Sequence, residues 1–365
     1  MRIFIRCDGG TRLGTGHIIR QLMMAKELKK RLNNLEITFL MKDIPEGVER
    51  VRDEGFAVKE LPQFKDLIEE SAFIFDYLKD RKPKLLIIDI LDTCKEYITT
   101  LKKLEAKIVS FDDHSEGKYF ADLRFNILEL EREEPAPNLF EGPEYVTLNP
   151  IYAKYHNKEK EIRKEAKQVL ITFGGSDPGN LTNKVLKAFE KLDKELEINV
   201  VIGFAFSYIE ELKERVKKFP YKVKVYRNVS SEEMAELMFE SDVGIGAGGL
   251  TQYEFACVGL PGIIICEEVE HQDKLANWFQ DRGVFINLGR GSNVVEGVIL
   301  ETVLNLLGNY SKRKRMSLKG KELCDGRGLE RTVNKILEVL GFHTCEVALR
   351  SVKKLGKVLN KFGGV

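Results

Sequence analysis

His17 lies in the segment LGTGHIIRQ, after Gly16 and at the start of the periodic run HIIRQLMMAKEL. A histidine that opens a helix behind a glycine turn is either a catalytic base or a residue of the turn itself. The partial positive charge of a helix N-terminus disfavours imidazolium, so the ring is expected to be neutral and able to take a proton near pH 7. Such a group suits general base work. A metal role is not expected, because the chain has five histidines with no HxH or HxxxH pair among them. In SFDDH (110–114), Asp112 and Asp113 either cap the next segment or orient a substrate hydroxyl or His17. Two glycine turns, GGSDPGN (174–180) and GAGGLTQYE (246–254), have the composition of phosphate cradles, since glycine lets backbone amides approach oxygens and a helix start favours negative charge. Neither is a Walker A loop, and GxGGxT is not the dinucleotide fingerprint GxGxxG. Glu254, one helical turn after Thr251, either accepts from a ribose diol or is a solvated helix position, and Asp177 reads as an N-cap for the helix that follows.

The elements that must position these groups are short β-branched runs alternating with amphipathic stretches. RIFIRC, EITFLM, KLLIIDI and AKIVSFDD form one series, and QVLITFGG, INVVIGF, KVKVYRNV, DVGIGAGG, PGIIICEE and FINLG form another. Such alternation predicts βαβ units and parallel sheets buried on both faces. The expected division is a first domain over 1–155 that carries His17, a second over 156–330 and a tail over 331–365, with the boundary marked by Pro150 and the charge run HNKEKEIRKEAK. Ligands of open parallel sheets bind beyond the carboxyl ends of the strands, where this chain places its glycine turns.

At 365 residues there is length for two cores. Lys+Arg (58) nearly balances Asp+Glu (57), which argues against nucleic acid as the partner and for a small ligand. The six cysteines show no CxxC spacing and read as buried thiols. No run approaches the ~20 apolar residues of a membrane span, nor is RIFIRCDGG a signal peptide, so a cytoplasmic protein is expected.

Taken in order, RxD-x5-GxGHxxR, LLIID, SFDD, FGGSDP, GAGGxTxYE and GxPxIII resemble the UDP-sugar hydrolase family of pseudaminic acid synthesis, which removes UDP from UDP-2,4-diacetamido-2,4,6-trideoxy-altropyranose. They are also similar to the spore-coat-polysaccharide proteins and, more distantly, to the N-acetylglucosaminyltransferase of peptidoglycan synthesis. The likeness runs over residues 1–330. It implies a GT-B architecture of two Rossmann-like, doubly wound α/β domains facing a cleft, with UDP held mainly by the second. It makes His17 the catalytic residue that activates water at the anomeric carbon. Asp8, Gly14, Gly16, Arg20, Asp112, His271 and Gln272 would surround the sugar. Gly174, Gly175, Ser176, Gly248, Gly249, Leu250 and Thr251 would hold the diphosphate, Glu254 the ribose and the segment around Val229 the uracil, with no metal or other cofactor. Two departures bear on the sugar. Ile90 and Leu91 follow Asp89 where the hydrolases have a tyrosine two residues after the aspartate, and His271-Gln272 stands where they have Asn-Gln.

Beyond the family's usual end, Val347, Leu349, Val352, Leu355, Leu359 and Phe362 recur at helical spacing among Arg350, Lys353, Lys354, Lys357 and Lys361. This predicts a basic amphipathic helix that either packs back on the protein or makes weak contact with a membrane surface. Two rival activities share the UDP-sugar site. One is a glycosyltransferase in which His17 deprotonates an acceptor hydroxyl, a lipid-linked one included, and the other is a nucleotide-sugar binder without turnover.

Overall fold

A computed structural model of the chain describes residues 1–10, 15–128, 136–192, 195–219 and 222–342. Strands β1 (Arg2–Cys7), β2 (Glu36–Lys42), β3 (Ala57–Leu61), β4 (Leu85–Asp89), β5 (Lys107–Phe111), β6 (Leu123–Asn126) and β7 (Leu139–Glu141) form a parallel sheet in the order β3-β2-β1-β4-β5-β6-β7. Strands β8 (Gln168–Thr172), β9 (Glu197–Ile202), β10 (Val223–Arg227), β11 (Val243–Gly246), β12 (Gly262–Cys266) and β13 (Phe285–Arg290) form a second, in the order β10-β9-β8-β11-β12-β13. Both sheets reverse direction of growth once, between β1 and β4 and between β8 and β11, and ligand crevices of doubly wound sheets lie at such points.

The strands read as unbroken apolar runs because each contributes to two cores. Ile3 and Ile5 point into one cluster and Phe4 into another; Leu85 and Ile87 alternate with Leu86 and Ile88 in the same way. In the second sheet Val169 and Ile171 alternate with Leu170, and Ile263 and Ile265 with Ile264. The edge strands are the exception: β3, β7 and β13 are only partly covered, and on β10 Lys224 and Val225 are exposed, where lysine on an open edge blunts pairing with another chain.

Helices α1 (Gly16–Arg31), α2 (Pro45–Asp53), α3 (Leu67–Leu78) and α4 (Lys95–Lys102) accompany the first sheet. Helix α5 (Pro150–His156) follows, and α6 (Leu181–Phe189), α7 (Ile209–Lys217), α8 (Ser231–Glu240), α9 (Leu250–Val258), α10 (Glu270–Asp281), α11 (Glu296–Gly308), α12 (Tyr310–Leu323) and α13 (Gly328–Val339) complete the described chain. Packing departs from the division expected from sequence in two places. Helix α5 lies against α8 and α9, so the chain has already joined the second unit before residue 155. Helix α13 is not part of a tail: Leu329, Val333, Ile336 and Leu337 enter the core of the first sheet beside Ile5, Leu22 and Leu28, and Thr332 Oγ1 donates to Tyr145 O at 2.9 Å. An apolar stripe carried past the second sheet finds its partner surface back on the first. The basic amphipathic helix expected within 341–365 lies, from residue 343 onward, outside the described residues. Among the described residues no helix is long and apolar enough to cross a membrane.

Candidate active site

The carboxyl-end loops of the two sheets meet. A Cβ added at Gly175, after β8, would fall 2.1 Å from Thr15 Oγ1, and one added at Gly16 would fall 3.9 Å from Leu250 Cδ1. The N-termini of α1 and α9 thus face one another, one bearing His17 and the other the GAGGLT turn. Orphan N–H groups and the helix dipole make both ends favourable for negative charge.

His17 is half-buried, and its Nδ1 lies 2.6 Å from Asp89 Oδ1. Asp89 ends β4 at the reversal point of the first sheet and is fully buried. It also accepts from Arg20 Nε at 2.6 Å, from Arg20 Nη2 and from Gln21 Nε2 at 2.8 Å. Burial alone would raise this carboxyl, yet the adjacent Arg20 guanidinium and His17 hold it well below the usual carboxylate range. An anionic partner on Nδ1 assigns the ring proton there and leaves the Nε2 lone pair free. The orientation of the imidazole therefore comes from Asp89, whereas the sequence reading offered Asp112 or Asp113 for that role and drew only the ring's neutrality from the helix start.

Arg20 and Asp112, both expected around a sugar, have other work. Arg20 is 1% exposed and bridges Asp89 to Asp112, its guanidinium resting 5.5 Å from the centre of the Phe111 ring. Asp112, held at φ 45°, takes Arg20 on Oδ2 and the amides of Ile127 and Leu128 on Oδ1 at 2.7 and 2.8 Å. These three bonds and its 1% exposure tie Asp112 to the protein, and His17 is not among its partners. Asp113 caps, accepting from Thr93 N at 3.1 Å and Ser115 N at 3.0 Å. Asp8 accepts from Lys42 N at 2.8 Å and pairs with Arg6 Nη1 at 2.7 Å. Gly14 lies outside the described residues.

From the other side of the cleft, α10 contributes His271 and Gln272 in its first turn. Burial, with the neighbouring His17, His114 and Arg20 and against the pull of Asp112, lowers the His271 ring to about 4. It therefore faces the His17 cluster as a neutral imidazole, its ring centroid 6.2 Å from that of His114. The Gln272 side-chain carbonyl, expected at the sugar, instead accepts from Gly248 N at 3.2 Å and Glu267 N at 3.0 Å. The Gly248 amide is accordingly engaged by protein, not presented to a diphosphate. A Cβ on Gly248 would meet Cys266 Sγ and Gln272 Cβ at 2.8 Å each, so the glycine there serves close packing of the two loops. Gly249 is the N-cap of α9, and Leu250 and Thr251 open its first turn, where N–H groups have no intrahelical partner.

The 174–176 turn sits on the same edge, with Gly174 at φ 76° and Ser176 buried. Asp177 is the N-cap expected from sequence in function, taking Leu181 N at 2.7 Å and Thr182 N at 2.9 Å. Burial raises the carboxyl of Glu254, on α9, to about 7 against the opposing pull of the nearby Tyr152 hydroxyl of α5. Val229 precedes the capping box of α8, in which Ser230 Oγ accepts from Glu233 N at 3.1 Å and Glu233 accepts from Ser230 N at 2.8 Å. At the two positions that depart from the hydrolases, Ile90 packs into the α3–α4 face and the Leu91 carbonyl accepts from His114 N at 2.6 Å.

The sequence reading missed Asp89, Gln21, Tyr152 and Thr15 as members of the site. A signal for Asp89 existed, since it is the charged end of the apolar run LLIID. Tyr152 had none, because its neighbour Glu254 is about a hundred residues away. Among the described residues no three His, Cys, Asp or Glu side chains are placed to hold a metal ion.

Comparison with known proteins agrees with this architecture. Residues 169–325 match the glycosyltransferase family 28 C-terminal domain. The chain is 30% identical to the spore coat polysaccharide biosynthesis protein SpsG of Bacillus subtilis, over 93% of its own length and 98% of the relative's. It is 25% identical to the UDP-2,4-diacetamido-2,4,6-trideoxy-beta-L-altropyranose hydrolase of Campylobacter jejuni, over 78% of this chain and 97% of that one. The crystal structure of Acinetobacter baumannii MurG superposes with a TM-score of 0.69, covering 92% of this chain and 99% of that one at 14% identity, which speaks to the GT-B fold alone.

Proposed function

The chain belongs to the family of the spore coat polysaccharide biosynthesis protein SpsG, on the GT-B fold, and from that membership we propose that it hydrolyses a UDP-linked acetamido- or diacetamido-trideoxy sugar. The observation that carries the reading is the His17–Asp89 pair at the reversal point of the first sheet, with Nε2 turned away from its carboxylate partner. Water held at Nε2 gives up a proton to the imidazole as its oxygen bonds to the anomeric carbon. The bond from that carbon to the diphosphate oxygen breaks, and UDP leaves with the electron pair. Free amides of Leu250 and Thr251 and the dipole of α9, together with the 174–176 turn, meet the charge that develops on the leaving group. Glu254 takes the ribose hydroxyls, the segment around Val229 the uracil, and Gly16 and His271 flank the sugar. No step calls for a metal.

Purified protein given a panel of UDP-linked 2,4-diacetamido and 2-acetamido sugars, with no acceptor, is expected to release UDP from one of them. His17→Ala should remove that release and leave UDP affinity unchanged. Tight binding of the sugars with no release by the wild-type protein would refute hydrolysis.

The match of residues 169–325 to a glycosyltransferase domain favours a second reading, transfer to an acceptor hydroxyl that His17 deprotonates in place of water. The same assay separates the two, because a transferase releases UDP only when an acceptor is supplied. Lipid-linked acceptors belong in the panel, with a chain lacking residues 343–365 alongside.

A further inference from the structure

Helix α12 carries six cationic residues, Lys312, Arg313, Lys314, Arg315, Lys319 and Lys321, against a single acid, Glu322, in a chain whose net charge is only +1. Two of the six are spent inside the fold: Arg313 donates to Leu306 O at 2.8 Å and to Arg163 O at 2.7 Å, and Lys321 to Lys158 O at 2.8 Å. Lys312, Arg315 and Lys319 follow one another at helical spacing and line a cavity of about 310 Å³ between α12 and the end of α10. Among the described residues no carboxylate pairs with any of the three, whereas Lys187, Arg215 and Lys335 on other helices are all ion-paired. Like charges so spaced on one helix face repel, and no acid of the cavity wall relieves them.

The rest of the wall also offers donors. Gln280 Oε1 accepts from Asn287 N at 2.8 Å, which fixes the amide and leaves Nε2 for a ligand. Gly283, at φ 69° in the turn after α10, has Lys319 above it: a Cβ there would fall 2.9 Å from Nζ, so the missing side chain lets the ammonium lie against the floor. Phe285 and Met316, 3% and 4% exposed, close that floor with apolar surface, beside which charge is screened less than in open water. Phe285 opens β13, so the cavity stands at the amino ends of the parallel strands, across the second sheet from the GAGGLT and 174–176 turns. A ligand there is separate from the nucleotide sugar of the cleft.

We propose that this cavity is a second anion site, which takes the phosphate group of a free diphosphate or of an anionic lipid headgroup. The planar Arg315 guanidinium grips two oxygens of one phosphate, the two ammonium groups add point charges, and Gln280 Nε2 donates to a further oxygen. At the small end of the ~300–1,000 Å³ usual for ligand pockets, the space suits one or two phosphate groups rather than a whole nucleotide. The inference holds whether the cleft hydrolyses or transfers.

The test is calorimetric titration of pyrophosphate into the full chain at low salt, with excess UDP present to keep the cleft filled, beside sedimentation with phosphatidylcholine vesicles with and without phosphatidylglycerol. Arg315→Gln should weaken pyrophosphate about tenfold, and the triple variant Lys312→Gln, Arg315→Gln, Lys319→Gln about a hundredfold, with UDP affinity and melting temperature unchanged. A second triple variant, Lys218→Gln, Lys224→Gln, Lys314→Gln, removes the same charge from exposed positions outside the cavity and should change binding by less than about twofold. Pyrophosphate binding without vesicle binding identifies a free ligand, and vesicle binding that the cavity variant alone loses identifies the headgroup; each supports the site. No binding of either probe, binding that the cavity variant leaves intact, or equal losses in the two triple variants would overturn it.

Discussion

Replacing Asp89 with asparagine probes two properties of one side chain that the structure allows to be separated. Asp89 fixes the imidazole through Oδ1, and it is one of two carboxylates that neutralise the buried Arg20. In Asp89→Asn the amide nitrogen meets Arg20 in either orientation, because Oδ1 and Oδ2 both accept from the guanidinium; at Oδ2 it would also face the donor Gln21 Nε2, whereas at Oδ1 it also faces His17, whose Nδ1 can become an acceptor, so the NH2 is expected toward the ring. Nδ1 then becomes an acceptor, the proton moves to Nε2, and the lone pair needed for water is lost. A positioned general base contributes about 10²–10⁴-fold, so kcat should fall by that factor, about 3–5 kcal/mol of barrier. The stability effect has a separate origin: removing one member of a buried ion-paired cluster costs about 3–5 kcal/mol, here tempered because Asp112 stays on Arg20. UDP release under single-turnover conditions, paired with urea unfolding of the same preparations, reads both. Because Asp89 acts through His17, the double variant with His17→Ala should lose no more rate than His17→Ala alone. A variant that unfolds earlier but keeps kcat within about threefold of wild type would refute the reasoning, since Asp89 would then be an anchor for Arg20 and nothing more.

The same carboxylate predicts an acid limit. Its pKa is depressed in the fold, so its stabilising contribution is complete above the unfolded value of about 3.9 and drains away as pH falls below it; Asp89→Asn should flatten the unfolding free energy in that window. His271 works in the window above: its ring is neutral in the fold down to about 4 but titrates near 6.5 when unfolded, so stability should decline from about pH 6.5 toward pH 4, and His271→Asn should remove that slope in a pH series of melting curves. Gly175→Ala puts a methyl group where Thr15 Oγ1 lies 2.1 Å away, wedging the loops of the two sheets; KM for the nucleotide sugar should rise, and Gly175→Ala with Thr15→Ala should recover most of it. Ile336→Ala opens a hole in the core of the first sheet from a helix near the far end of the chain. It should cost about 2–5 kcal/mol and increase hydrogen exchange in α1 and β1, not in the second sheet.

Much of the architecture was legible in the chain itself. Parallel strands flanked by helices have to be apolar on both faces, so KLLIIDI and PGIIICEE announce their place in a sheet without reference to anything distant. Glycine turns mark the loops at the carboxyl edge, where backbone has to come close to ligand or to other backbone, and His17 follows one of them. Asp177 shows the same locality, since an N-cap and the amides it satisfies are neighbours in sequence. What the sequence could not decide was the use of each polar group. Arg20 and Asp112 carry the residue types of a sugar site, but the fold buries them against each other and against Asp89, because a guanidinium taken out of water needs acceptors for its N–H groups and here finds them in two carboxylates. Gln272 meets Gly248, and α13 meets α1, only after the chain has returned on itself. Local periodicity and turn chemistry are written in neighbouring residues and so determine the elements and their order. Charge pairing, tautomer and the filling of hydrogen-bond acceptors depend on groups tens to hundreds of residues apart, and these the tertiary structure alone decided.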